Sequence, residues 1–486
     1  DDDDDDEDSD EQTQRNTDDH DPESLALLRL SALTALHAAA DSLGNLLHSK
    51  LPALLLLLTS VETRQEARAA TKADAVLQAL ADRVDVRLLL PPLYAAYARV
   101  LQANGATSAH QPLATLLRFA ASVVTQTSHA EASQRSAAIF KLCLVAFEYT
   151  SKRAASNADD AGAAILQQIE EASCELFLAL VLKLSETQFK PLFLKIVEWA
   201  LGGLVGNVSK LHSSDDDDTA LTVECARAEL LYLLMSRLCT ALRSIFVPYF
   251  DYVIDDAVAR LNAAAHDSAA TQSDSSDESS DNEDDDDDDD DSSSNMRSAK
   301  RQKRLQQSQQ QKQQKAALTS AGVSRRCVSR VLEAIKLCAS HDRDSFVDAR
   351  RFNLLWPAVV RQFAPPSAVL SSIGSSQYAA LSDELVTPCL VSLCVAVGRD
   401  TLWQPLFNGV LRHTRHAQVR VVLAALDCVG TLYDTLGEDA LSLLPDTIPF
   451  LSELMEHGNS NVEQRTQQLV RSLEQMLGSD ELQQML

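Results

Sequence analysis

Apolar residues along this chain recur at steps of three and four through long segments, and short polar or Pro/Gly-containing breaks separate those segments. Val223, Ala226, Leu230, Leu234 and Leu238 give the clearest stripe, a spacing that lines one face of a helix. A stripe of this kind needs a neighbouring helix to cover it, so the pattern predicts packed helices rather than isolated ones. Breaks are expected at Leu51-Pro52, Pro91-Pro92, Asn104-Gly105, Gln111-Pro112, residues 151–162 and Gly202-Gly203. The helical pattern runs from Pro22 to about Leu211, disappears between about His266 and Ala316, and resumes from Ala317 to the end.

The last part of the chain compares with itself. Pro405-Leu406-Phe407, Leu411 and His416 to Arg420 lie over Pro449-Phe450-Leu451, Leu454 and Asn459 to Glu463, with an offset of 44 at the prolines and 43 at Val419 and Val462. That is the period of HEAT or armadillo helix pairs, which repeat every ~40–47 residues. In such a pair, Pro is tolerated in the first turn of the leading helix and an inward-facing Val opens the second. Ser460-x-x-Glu463 reads as a capping box for the final helix, with Gly478 as its stop. A bundle of unrelated helices is the competing architecture. The expectation is an all-α chain, an α-solenoid of HEAT-like helical repeats with a long disordered acidic and basic insertion. Its parts are an acidic disordered segment over 1–22, helical repeats over 23–266, the insertion over 267–316 and C-terminal repeats over 317–486.

Composition agrees, because Gly and Pro contribute only 14 residues each of 486 and aromatics only 5%, against a turn-rich β fold. The formal charge of −27 is local: residues 1–23 hold 14 acids and one Arg, and residues 274–291 hold 13 acids and no base. The remainder is almost neutral. Tracts so charged cannot pack a core and are expected to be solvated. Nine Cys, without a Cys-x-x-Cys, sit mostly in apolar stretches and read as reduced core thiols of an intracellular protein. The longest apolar runs, such as Leu51 to Leu58 and Leu176 to Leu182, fall short of the ~20 residues that cross a bilayer. The chain opens on six Asp rather than Met, which suggests a piece of a longer protein.

Phosphate-binding glycine loops, nucleophile elbows and zinc-protease motifs are absent, and no catalytic, cofactor-binding or metal-binding residues are assigned. His413 and His416 read as a turn between helices, and Asp215 to Asp218 as a solvated loop. The insertion carries more chemistry. Residues 297–315 hold seven Lys or Arg and no acid, and Arg297, Lys300, Arg301, Lys303 and Arg304 form a cluster suited to nuclear import or phosphate contact. Ser275 and Ser280 each precede an acid by three residues, the context of acid-directed phosphorylation. Trp199, Trp356 and Trp403 are expected in the core or between repeats.

Several segments resemble a known family in order along the chain. They are Leu184 to Ala200, Ala241 to Leu261, Asp344 to Phe363, Asp400 to Leu426 and Leu443 to Gly478. The resemblance is most specific at Phe189-Lys190-Pro191-Leu192-Phe193 with Trp199, from Trp403 to Val419-Arg420, and from Leu444-Pro445 to Met455. These resemble the C-terminal region of the large nucleolar HEAT-repeat protein of the small-subunit processome, the Utp-ten family of the UtpA subcomplex. Residues 1–180 match only as generic helical repeats. The resemblance implies a non-enzymatic scaffold in the nucleus and nucleolus, acting in ribosome biogenesis through pre-rRNA processing, with a role in rDNA transcription. It implies UtpA subunits and other processome proteins as partners, and the pre-rRNA and snoRNA particle reached directly or indirectly. No membrane, small-molecule substrate or cofactor is implied. The alternative reading is a HEAT-type nuclear transport receptor or an acidic-tract histone chaperone, since acid tracts hold basic partners by charge.

Overall fold

The computed structural model describes residues 22–102, 110–155, 160–206, 217–265 and 323–477. Every regular element among them is helical. The chain divides into two compact units, the first built from residues up to Cys143 together with Asp160–Leu184, the second from Leu144–Asp159 and Ser185 onward.

In the first unit α1 (Pro22–Leu43), α2 (Leu51–Thr59), α3 (Val61–Arg64), α4 (Ala67–Arg83), α5 (Val86–Gln102) and α6 (His110–Gln126) precede α7 (His129–Ala155) and α8 (Asp160–Val181). Here α1 packs on α4, α4 on α6 and α6 on α8, while α2 and α5 pair beside them. The break expected at Pro91-Pro92 does not occur, because α5 runs through both prolines. Asp85 closes its first turn instead: the Asp85 carbonyl accepts the Leu88 and Leu89 amides at 2.8 and 3.1 Å, and its carboxylate accepts that of Arg87 at 2.9 Å. Pro112 stands in the first turn of α6, where a missing N–H is harmless.

The second unit contains α9 (Glu186–Gly206), α10 (Asp217–Leu242), α11 (Ile254–Ala264), α12 (Arg325–Ser340), α13 (Ala349–Val360), α14 (Ser367–Ser372), α15 (Ser375–Leu381), α16 (Thr387–Val397), α17 (Asp400–Leu411), α18 (Val419–Leu436), α19 (Leu444–Met455) and α20 (Ser460–Leu477). Five pairs stack in two rows. The leading helices α11, α13, α17 and α19 contact in that order, with α9 leading the first pair. The following helices α10, α12, α16, α18 and α20 form the facing row, each against the next. This is the repeat architecture that the sequence offset predicts. The Gly202-Gly203 break is also absent, since α9 continues to Gly206.

Three details of the repeat differ from the sequence reading. Pro405 and Pro449 occupy the sixth position of α17 and α19, as Pro91 does in α5 and Pro191 in α9, so the proline belongs to the second turn and removes one main-chain hydrogen bond there. Leading helices begin 44 residues apart at Asp400 and Leu444, whereas following helices begin 41 apart at Val419 and Ser460. The tight turn Arg412–Arg415 lengthens the first connection, so Val462 corresponds to Val421, both fully buried, rather than to half-buried Val419. The cap of α20 is also one residue early: the Asn459 carbonyl accepts the Glu463 amide at 3.2 Å and its side-chain oxygen accepts that of Asn461 at 3.0 Å, so Ser460 is already in the helix. Gly478 lies outside the described residues.

Aromatic residues of α9 and the segment Val247–Tyr252 interlock in the first pair, with Phe193 edge-on to Phe246 at 5.4 Å and to Tyr249 at 5.5 Å. Trp403 is buried and donates to the Cys394 carbonyl at 2.9 Å. Trp199 and Trp356 are half-buried between helices. Ser375–Val397 is long and apolar enough to span a bilayer by length and composition, which no uninterrupted apolar run in the sequence suggested. In this fold Cys389, Leu390, Leu393 and Cys394 of that stretch are fully buried among protein side chains. None of the nine thiols is in a disulfide, and eight are buried.

Candidate functional site

The residues singled out in the insertion, Arg297, Lys300, Arg301, Lys303, Arg304, Ser275 and Ser280, lie outside the described residues. The structure does define where the chain departs and returns. It leaves after α11 and re-enters before α12, between the two helices of one pair, where the last three pairs have their leading-to-following connections. Those turns form one edge of the stack in the second unit.

Hydrogen bonds and ring contacts tie successive turns of that edge together. Arg361 donates to the Asn262 side chain at 2.6 Å, and the buried Gln362 amide donates to the Leu261 carbonyl at 2.8 Å. The Phe363 ring lies 6.1 Å from that of His413. Arg415 pairs with Glu453 at 2.8 Å and covers the Phe450 ring at 4.6 Å. Beneath them Arg420 donates to the Ile373 carbonyl at 2.9 Å and to that of Leu370, and it lies over Tyr378, whose hydroxyl donates to the Phe363 carbonyl at 2.8 Å. Arg361, Arg412 and Arg415 are exposed, and neither Arg361–Gly374 nor Arg412–Arg420 contains an acid.

His413 and His416 occupy this edge as a turn. Gln418 donates its amide to His416 Nδ1 at 3.1 Å, and Asn459 donates to His457 Nδ1 at 3.2 Å in the next pair, a repeated local device invisible to the 43-residue alignment. Burial, with the neighbouring His416 adding to it, holds the His413 imidazole down at a pKa of about 4. Among the described residues no three His, Cys, Asp or Glu side chains converge to hold a metal ion.

Just below the departure points lies a buried ionic cluster that the sequence reading missed. Arg260, only 1% exposed, donates from Nε to Asp256 at 2.7 Å, and the Tyr232 hydroxyl donates to the same carboxylate oxygen at 2.8 Å. Ser324, at the re-entry point, accepts the Cys327 amide at 3.0 Å to cap α12, while its hydroxyl donates to Glu229 of α10. Burial pushes the Cys327 thiol up to about 12 despite Arg260 nearby. Asp256 and Arg260, four apart on one face of Ile254–Ala264, were the available signal. A charge on a core face is kept only when a partner is within reach. The cluster therefore fixes α10, α11 and α12 to one another around both ends of the insertion.

A second pin joins α7, α9 and α10. Glu148 takes Arg227 at 2.8 Å, Trp199 Nε1 at 3.0 Å and Lys152 at 3.1 Å. Burial alone would raise this carboxyl, but the Trp199, Lys152 and Arg227 donors together bring it below the usual glutamate range. This explains Trp199 within the most specific part of the resemblance: it is a half-buried donor as well as packing mass.

The same ordered segments find named relatives. Residues 131–347 match the BP28CT (NUC211) domain family. The HEAT repeat-containing protein 1 homolog of Dictyostelium discoideum is 32% identical over 94% of this chain and 22% of its own length. The U3 small nucleolar RNA-associated protein 10 of Schizosaccharomyces pombe is 23% identical over 84% of this chain and 19% of its own length. The chain is similar to these proteins along most of its own length. An uncharacterised Arabidopsis thaliana relative is 30% identical over 93% of this chain and 18% of its own length. The chain thus spans about a fifth of the curated relatives it matches. Among solved structures, Kap121p bound to Pho4p aligns over 94% of this chain and 49% of that one at 13% identity, with a TM-score of 0.29, too slight a likeness to carry function. The BP28CT match ends at Val347, so it covers the Glu148 pin and the buried cluster but not the last three helix pairs.

Proposed function

We propose that this chain is part of a non-enzymatic scaffold of the small-subunit processome, working in the nucleolus in pre-rRNA processing and small ribosomal subunit biogenesis. The observation that carries this reading is homology over 84% of the chain to a protein named as U3 small nucleolar RNA-associated, on a stack of helix pairs. Stacked pairs present long surfaces that suit assembly with many proteins. Other UtpA subunits and processome proteins are its expected partners, the pre-rRNA and snoRNA particle its expected RNA, and support of rDNA transcription a further expected role.

Direct RNA contact, in this reading, concentrates at Arg297, Lys300, Arg301, Lys303 and Arg304, and phosphorylation at Ser275 and Ser280 deepens the negative charge beside them. Ultraviolet crosslinking of the tagged full-length protein in cells, with sequencing of bound RNA and identification of co-purifying proteins, tests it. Enrichment of the leading spacer of pre-rRNA together with UtpA subunits is expected. Histones or transport factors without processome proteins would overturn the reading.

A further inference from the structure

Two glycines interrupt helix interiors in the C-terminal pairs, and intramolecular packing explains only one. At Gly409 of α17 a Cβ would come within 2.6 Å of the Trp356 ring, so the ring needs the missing side chain. At Gly430, in the middle of α18, a Cβ would meet only Leu469 Cδ1 at 3.5 Å, an ordinary contact. Glycine in a helix interior is about 1 kcal/mol less favourable than alanine. Among the described residues no close contact offsets that at Gly430.

Gly430 lines a groove between α18 and α20 of about 170 Å³. Asp427, Thr431 and Asp434 form its α18 side; Arg465, Gln468 and Ser472 form its α20 side. Asp427 pairs with Arg465, which also donates to Gln468 at 3.0 Å. The exposed Asp434 accepts the Ser472 hydroxyl at 3.3 Å. The stretch that supplies both walls is acidic: residues 421–477 hold nine acids against Arg465 and Arg471.

We propose that this groove docks a basic segment of a partner protein. The partner's backbone passes against Gly430, where a helix without a side chain allows close approach. Its Lys or Arg side chains meet Asp434 and Asp427, which stand seven residues apart on one face, about 10 Å along the helix axis. A phosphate backbone is disfavoured by the same charge. The proposal concerns a surface separate from the insertion and holds whether or not the protein works in the processome.

The test places a photoreactive benzophenone side chain at position 431 of the full-length protein in cells, with the crosslinked peptides sequenced. The expected adduct is a protein segment bearing Lys or Arg residues spaced to reach both carboxylates. Asp434→Lys should reduce its yield at least tenfold, and Gly430→Ala should reduce it several-fold while leaving the melting temperature unchanged or raised. The proposal is overturned by an adduct to RNA, to a second copy of this chain or to an acidic segment, by no adduct, or by a yield insensitive to both substitutions. A fall in melting temperature for Gly430→Ala would equally overturn it, because the glycine would then serve the fold.

Discussion

His413 shows how one half-buried turn residue makes a stack pH-dependent. Its imidazole lies against Phe363 and beside His416, with a folded pKa of about 4 against about 6.5 in an unfolded chain. The unfolded chain therefore takes up the proton first. Stability contributed by neutral His413 is complete above pH 6.5 and drains away as pH falls toward 4, by an amount of the order of 2 kcal/mol once its partial exposure is discounted. Urea midpoints measured between pH 7 and pH 4 should fall less steeply for His413→Gln than for the parent protein. Equal slopes would show that His413 is solvated in solution. Glu148 is the second residue whose environment sets a measurable value. Glu148→Ala leaves Arg227 and Trp199 Nε1 without their shared acceptor, and a loss of about 2 kcal/mol is expected, smaller than for a fully buried pair because the site is partly open. The chevron of that variant against the parent reads the loss directly.

At the scale of elements, helix identity was legible and helix contacts were not. Apolar spacing and Leu/Ala richness marked the chain as helical, since both report the face a helix must bury. Pro91-Pro92 and Gly202-Gly203 misled because proline and glycine are weak local terms that tertiary burial overrides: Leu89 and Leu93 flank the prolines and are buried. The contacts that pin elements, Glu148 to Arg227 across 79 residues and Ser324 to Glu229 across 95, have no sequence-local signature. Among the candidate sites, the insertion cluster was legible as charge alone, whereas the groove at Gly430 emerges only when α18 and α20 are set side by side. Gly409 shows the same limit in a testable form. By helix propensity Gly409→Ala should stabilise α17 by about 1 kcal/mol. With Trp356 only 2.6 Å from the new methyl, the expected outcome is a net loss of about 1–2 kcal/mol. Trp356→Leu in the same molecule should cancel much of that loss, and thermal melts of the two single variants and the double variant give the coupling.

For the whole molecule the separation of charge from packing matters most. The two acid tracts account for nearly all of the net −27, and apart from Pro22 and Glu23 at the start of α1 both fall outside the described helices. Within the second unit, the paired helices on either side of the insertion are held by Asp256, Arg260, Tyr232, Glu229 and Ser324, contacts that do not involve the insertion itself. The composition of residues 267–316 predicts a solvated loop, for which closing the chain carries an entropy that grows with the logarithm of loop length. Deleting 267–316 should then leave the α11–α12 pair intact and raise stability by about 2 kcal/mol through loop closure alone. It should also remove the RNA crosslinks proposed for Arg297 to Arg304 while sparing the groove at Gly430, which belongs to other pairs. Denaturant unfolding of the deletion variant separates the possibilities. A higher midpoint with an unchanged slope fits a loop that adds only entropy to the unfolded chain. A loss of several kcal/mol would mean that part of the segment packs on the helices, and the basic cluster would then have to be read as a structural face.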